Sequence, residues 1–201
     1  MIVILDYDVG NLASVLQSFK KAGMDAVVSK DPGTIQAADA LILPGVGAFG
    51  PAMDALQESG LIPYLKEHVD KQKPLLGICL GMQLLFESSD EHGMHEGLGL
   101  LPGKITHFDI SLNIPHMGWN GLKFDNESHP LLKYIEEGDY VYFVHSYYAV
   151  DADETLVASA EYEVNVPAIV AKNNVYGMQF HPEKSGPVGS RILKAFKELI
   201  P

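Results

Sequence analysis

A single cysteine, Cys79, in a chain of 201 residues leaves no second thiol with which to close an internal disulfide. The chain therefore suits a reducing compartment. Positive charge is also scarce: 14 Lys and Arg stand against 26 Asp and Glu, a formal net charge of −12. Nucleic acid and anionic membranes both reward a basic face, so neither is expected as a partner. No apolar run approaches the roughly 20 residues of a membrane span. The opening "MIVILDYD" lacks the basic n-region and the apolar length of a signal peptide, so a cytoplasmic location is expected. Repeats, low-complexity tracts and linkers are absent, and residues 1–201 read as one domain.

What is present is an ordinary globular composition, 47% hydrophobic and 20% charged, with enough chain for one substantial core. "IVILDY" (2–7), "DAVVS" (25–29), "ADALILPG" (38–45) and "PLLGI" (74–78) read as strands. Between them, Leu12, Val15, Leu16 and Phe19 recur at helical spacing, with Asn11 as N-cap and Gly23 as the stop. Met53 to Leu65 outlines more helix, broken near Gly60 and Pro63. Strands alternating with helices predict an α/β fold, an open, mostly parallel sheet covered on both faces. After residue 100 the runs become short and β-like, which adds antiparallel strands to the second half, before a final helix over 187–200. The segment "IPHMGWN" (114–120) is neither periodic nor strand-like, and "HFDISLNI" (107–114) reads equally as strand or loop.

The chemistry gathers at three predicted strand ends, where open α/β sheets hold their active sites. The first is Gly77-Ile78-Cys79-Leu80-Gly81. A thiol opening a helix faces unpaired N–H groups that favour its anion, the form in which sulfur attacks. Two flanking glycines allow the close strand–helix approach of a nucleophile elbow. A lone cysteine in an apolar run is equally read as a small packed hydrophobe. The second is "QFHPEKS" (179–185). Pro182 biases His181 to extended backbone, so His181 and Glu183 can share one side. The carboxylate would then orient the imidazole and support the imidazolium formed when it takes a thiol proton. The third is "LPGVGAFG" (43–50), a turn able to aim backbone N–H groups at a developing oxyanion. It lacks the Lys-Ser/Thr of a P-loop and follows the third strand, so nucleotide binding is not expected.

With G-I-C-L-G, H-P-E and the glycine-rich turn in this order, the chain resembles the class I glutamine amidotransferases. "DYDVGNL", "LPGVGAFG", "GICLGMQLLFE", "IPHMGWN" and "YFVHSYY" narrow the resemblance to the glutaminase subunits of imidazole glycerol phosphate synthases, over about residues 4 to 186. The resemblance implies a flavodoxin-like sheet and a Cys79–His181–Glu183 triad that hydrolyses L-glutamine to glutamate and ammonia. It implies an oxyanion hole from Leu80 N–H and the Gly45-Val46-Gly47 turn. Glutamine would meet Gly47, Gln83, Glu91, Ser146 and Tyr147. It further implies a heterodimer with a (β/α)₈-barrel cyclase that uses the ammonia, docked over Asn11, Trp119, Asn120 and Lys184. No metal or cofactor is implied.

Alternatives remain at this level. Glu91 could be a plain acidic loop residue, and Trp119 could pack on its own domain. A cysteine peptidase or esterase would also use G-x-C-x-G, though H-P-E and P-H-M-G-W-N do not call for one. A redox-sensing module with one reactive thiol would leave Glu183 and the oxyanion turn without a purpose.

Overall fold

In the computed structural model, which describes residues 1–201, four short apolar runs form one parallel half of an eight-stranded sheet. They are β1 (Ile2–Leu5), β2 (Ala26–Ser29), β3 (Ala40–Leu43) and β4 (Leu75–Ile78). Every residue of β1, β3 and β4 is buried, as expected of strands covered on both faces. Alternate residues of β1 enter different cores: Ile2 and Ile4 join one cluster, Val3 and Leu5 the other.

Six helices cover the sheet: α1 (Leu12–Lys21), α2 (Pro32–Ala37), α3 (Phe49–Glu58), α4 (Ile62–Asp70), α5 (Leu80–Leu84) and α6 (Gly186–Lys197). Val15 and Phe19 of α1 pack in one cluster with Ile192 and Phe196 of α6. Ile35, Phe49, Leu56 and Leu65, from α2 to α4, pack in the other. The break between α3 and α4 falls at Gly60, in the left-handed region at φ 70°. Asn11 does hold the first cap position of α1, but its side chain makes no capping bond. The short α2 is an element the periodicity does not betray. Asp31 caps it by accepting from Thr34 N at 2.7 Å, and Pro32 opens it.

The second half contributes β5 (Ser88–Ser89), β6 (His95–Glu96), β7 (Lys104–His107), β8 (His116–Gly121), β9 (Lys123–Phe124), β10 (Tyr140–His145), β11 (Tyr147–Val150), β12 (Leu156–Tyr162), β13 (Val164–Lys172) and β14 (Val175–Met178). The main sheet runs β2-β1-β3-β4-β14-β13-β12-β9, parallel through β14 and antiparallel beyond it. A β8–β10 ribbon and a β11-β7-β5-β6 sheet complete the chain. No helix is long and apolar enough to cross a membrane.

The Trp119 segment is therefore strand, against the expectation from sequence. Its glycines and polar residues hide the period, and pairing supplies what propensity does not: Trp119 lies opposite Tyr142, and His116 opposite His145. Along β8, Met117 and Trp119 are exposed at 63% and 55%, while His116, one position away on the other face of the strand, is buried. Residues 104–107 are strand and those from 108 to 115 are irregular.

Candidate active site

Three neighbouring parallel strands deliver the three predicted motifs to one place. β3, β4 and β14 lie side by side, with Leu43 opposite Gly77 and Ile78 opposite Met178. Beyond their carboxyl ends come the glycine-rich turn, Cys79 and His181 respectively. Cys79 N donates to Met178 O at 2.7 Å, so the sheet ladder runs right up to the thiol-bearing residue.

Cys79 sits at φ 53°, ψ −113°, an uncommon conformation for a residue with a Cβ, costing about 1–3 kcal/mol. The glycines at either side answer a steric demand. A Cβ on Gly81 would lie 1.8 Å from the Leu43 carbonyl oxygen, and one on Gly77 would lie 2.6 Å from the carbonyl oxygen of Gly81. Only bare backbone lets strand and helix approach this closely. The turn that results presents the thiol, 7% exposed, to an open cavity of about 570 Å³.

His181 reaches the same cavity, and its Nδ1 lies 2.8 Å from Glu183 Oε1. That carboxylate can only accept, so Nδ1 donates and Nε2 is left free on the cavity that Cys79 also lines. Burial lowers the His181 pKa, but the neighbouring Cys79 and Glu183 outweigh it and raise the imidazole to about 9. Glu183 Oε2 is buried without a partner, so His181 is the group that compensates this carboxylate.

The Glu183 side chain meets the ring through a tighter backbone than the expected extended i, i+2 pair. Pro182–Lys184 is a 3₁₀ turn, closed by Lys184 N and Ser185 N donating to the His181 and Pro182 carbonyls. Ser185, which sequence reasoning passed over, pins this turn. Its hydroxyl donates to His181 O at 2.6 Å and accepts from Tyr142 N at 3.0 Å.

Val46, Gly47, Leu80, Gln83, Glu91, Ser146, Tyr147 and Lys184 all line the cavity. Gly47 is at φ +100°, and the Gly45, Val46 and Gly47 amides donate to no backbone acceptor. Tyr7, buried beneath the turn, donates from its hydroxyl to Pro44 O; burial and then the charge of Cys79 push that hydroxyl pKa upward. Gln83 Nε2 donates to Tyr147 O and to Gln179 Oε1, each at 3.0 Å. One oxygen of Glu91 accepts from Phe49 N at 2.8 Å, satisfying the start of α3, so this residue is as much a cap as a cavity wall.

The four residues expected at a docking face separate. Trp119 and Lys184 both approach Tyr142, with Trp119 edge-on at 6.0 Å and Lys184 Nζ 6.0 Å from the ring centre. Asn11 is exposed at the start of α1. Asn120 turns inward, its amide committed to His116 and to the Glu161 carbonyl. The sequence reading missed His92, His107 and His145 on the cavity wall, and Gln179 beside the sulfur at 4.0 Å. His145 falls within "YFVHSYY", a stretch that carries the family resemblance without assigning this histidine a role.

The arrangement matches known proteins over the whole chain. The sequence pattern of the family "Glutamine amidotransferase class-I" covers residues 3–199. The chain is 52% identical to the imidazole glycerol phosphate synthase subunit HisH of Bacillus cereus, covering all of this chain and 95% of that one. It is 49% identical to the HisH subunit of Halalkalibacterium halodurans, over all of this chain and 96% of that one. Among solved structures, a crystal structure of a glutamine amidotransferase superposes with a TM-score of 0.78 at 18% identity, over 100% and 99% of the two chains. The structure of PurLQS from Thermotoga maritima gives 0.77 at 20%, over 100% and 98%. At such identities the structures speak for the fold, and the sequences speak for the group. The chain belongs to the class-I glutamine amidotransferases and, among them, to the HisH family of imidazole glycerol phosphate synthase subunits.

Proposed function

We propose that Cys79, His181 and Glu183 hydrolyse L-glutamine through a thioester, and that the ammonia passes to a cyclase subunit. The observation that carries the reading is a thiol and an imidazole on the wall of one cavity, with a buried carboxylate hydrogen-bonded to the far nitrogen of the ring. His181 Nε2 holds the proton drawn from the thiol, consistent with its raised pKa, while Sγ attacks the side-chain amide carbon of glutamine. Leu80 N–H and an amide of the Gly45–Gly47 turn hold the tetrahedral oxyanion, each such donor being worth roughly 10²–10³ in rate. The imidazolium then gives its proton to the departing nitrogen as the C–N bond breaks, leaving the thioester. Water, deprotonated by His181, attacks the thioester carbon and releases glutamate and the thiol. Gln83, Glu91, Ser146 and Tyr147 orient the amino acid.

Ammonia is a nucleophile only while unprotonated, which favours a shielded hand-over to a docked acceptor. Exposed Met117, Trp119 and Tyr140 on the β8–β10 ribbon, beside Lys184 at the cavity rim, supply the aromatic anchor for the cyclase. We assign residues 1–201 to one glutaminase domain working in the cytoplasm, where an unpaired thiol stays reduced. The test is glutamate release by the chain with its cyclase, alongside Cys79→Ala. The variant should lose hydrolysis while the complex still turns over with ammonium salt. A Cys79→Ala complex that releases glutamate at the native rate would remove the nucleophile.

A further inference from the structure

Two buried histidines take no part in the chemistry of the triad, yet they lie end to end between the β8 ribbon and the thiol. His116 is 2% exposed and His145 7%. His116 is sandwiched between Phe143 and Tyr162, with ring centres 4.5 and 4.1 Å away. His145 Nδ1 is 2.8 Å from Tyr147 O, His145 Nε2 is 3.0 Å from His116 Nδ1, and His116 Nε2 is 3.2 Å from Asn120 Nδ2.

Proton counting fixes every role in this line. The Tyr147 carbonyl can only accept, so His145 Nδ1 donates. A neutral imidazole has one N–H, so His145 Nε2 accepts, and His116 Nδ1 donates to it. His116 Nε2 then accepts from the Asn120 amide, whose other N–H goes to Glu161 O at 2.9 Å. Burial keeps both rings neutral, lowering His116 to about 4 and, against the opposing bond to the Tyr147 carbonyl, His145 to about 3.

The line continues past Tyr147. Its carbonyl also accepts from Gln83, which donates to Gln179, whose amide nitrogen faces Cys79 Sγ at 4.0 Å. No member can reverse without stranding a buried donor or acceptor, a loss of the kind that isolated core histidines do not face.

We infer that His116 is a positioning residue for glutamine hydrolysis: through His145 it holds the Tyr147 carbonyl, Gln83 and Gln179 in register with the thiol, and through Asn120 it ties them to the strand that carries Trp119. The inference rests on the glutaminase reading. It assigns β8 a second task, because the strand that offers Trp119 outward anchors the glutamine pocket inward.

The decisive pair is His116→Phe and His116→Gln in the full chain with its cyclase. Phenylalanine keeps the aromatic sandwich and removes both polar links. Glutamine gives up the sandwich and returns one donor and one acceptor. The glutamine KM should rise about tenfold in His116→Phe with kcat changed less than about threefold, and His116→Gln should recover most of the KM. In the unsubstituted chain, ¹⁵N NMR should find both imidazoles neutral with the proton on Nδ1. A KM in His116→Phe within about twofold of native would overturn the inference. So would equal damage from both variants, which would make the role one of packing, or a proton found on Nε2 of either ring. An unsubstituted complex that releases no glutamate would instead remove the functional reading, and the NMR tautomers would still decide the direction of the line.

Discussion

Replacing Glu183 with Gln keeps the size of the side chain and removes its charge, and the local geometry determines how much that costs. The carboxylate is 2% exposed, its Oε1 accepts from His181 Nδ1 at 2.8 Å, and its Oε2 has no partner. An amide fits in two ways. With its oxygen toward Nδ1, the bond survives but loses its ionic partner, a drop of about 1 kcal/mol, and a buried NH₂ replaces Oε2 without an acceptor, at about 1–3 kcal/mol. With its NH₂ toward Nδ1, the ring must carry its proton on Nε2, the atom that should receive the thiol proton. The first arrangement costs about 2–4 kcal/mol. At 1.36 kcal/mol per decade this slows thioester formation by roughly 30-fold to 10³-fold. Rapid-quench single-turnover measurements with glutamine read the rate. NMR titration of His181 should show its pKa falling from about 9, since the Glu183 bond and charge are among the groups holding it up. A Glu183→Gln chain that forms thioester at the native rate, or more slowly than His181→Ala, would refute the role given to this carboxylate.

Other perturbations reach different parts of the molecule. Gly81→Ala forces a Cβ to within 1.8 Å of the Leu43 carbonyl oxygen, so it should destabilise the chain by more than about 3 kcal/mol; a native urea midpoint would contradict the close packing of the elbow. Trp119→Ala should leave stability within about 0.5 kcal/mol, because the ring is 55% exposed, but weaken cyclase binding by about 2 kcal/mol in titration calorimetry; unchanged affinity would move the anchor elsewhere. Three imidazoles, His68 and His116 at about 4 and His145 at about 3, are lowered chiefly by burial. Between pH 6.5 and 4 the unfolded chain binds their protons and the folded chain does not, so stability should fall as pH is lowered through that window. A urea midpoint that stays flat from pH 7 to 4.5 would count against three neutral buried histidines.

The parts of the site legible in sequence were those where one local rule sufficed. β1, β3 and β4 announce themselves as unbroken apolar runs because both sheet faces are covered. Gly77 and Gly81 mark the elbow because no other side chain fits there. The pairing of His181 with Glu183 was legible, but not the 3₁₀ turn that achieves it, since that turn depends on Ser185 bonding a distant strand. β8 escaped because its strand character comes from β10 as partner, not from its own glycines and polar residues. His116 and His145 escaped for a related reason. Two imidazoles 29 positions apart carry no periodic signal, and only their side-by-side placement in the ribbon turns them into hydrogen-bond partners. The inward turn of Asn120 is visible only once the pleat of β8 is known.

Cys79 and His181 are 102 positions apart in the chain, yet they extend neighbouring strands locked by the Ile78–Met178 pairing. Nearly everything between them, from α5 through β13, is thus one excursion out to the far edge of the sheet and back, with β9, β12 and β13 building that edge. Its length and its outer face do not set the distance between sulfur and imidazole, which the β4–β14 ladder sets instead. A resurfaced Met117–Trp119 edge would change the proposed docking face and leave the β4–β14 ladder in place. One chemistry can thereby be fitted to many recipients, with acceptor choice free to drift while the reactive geometry is inherited intact.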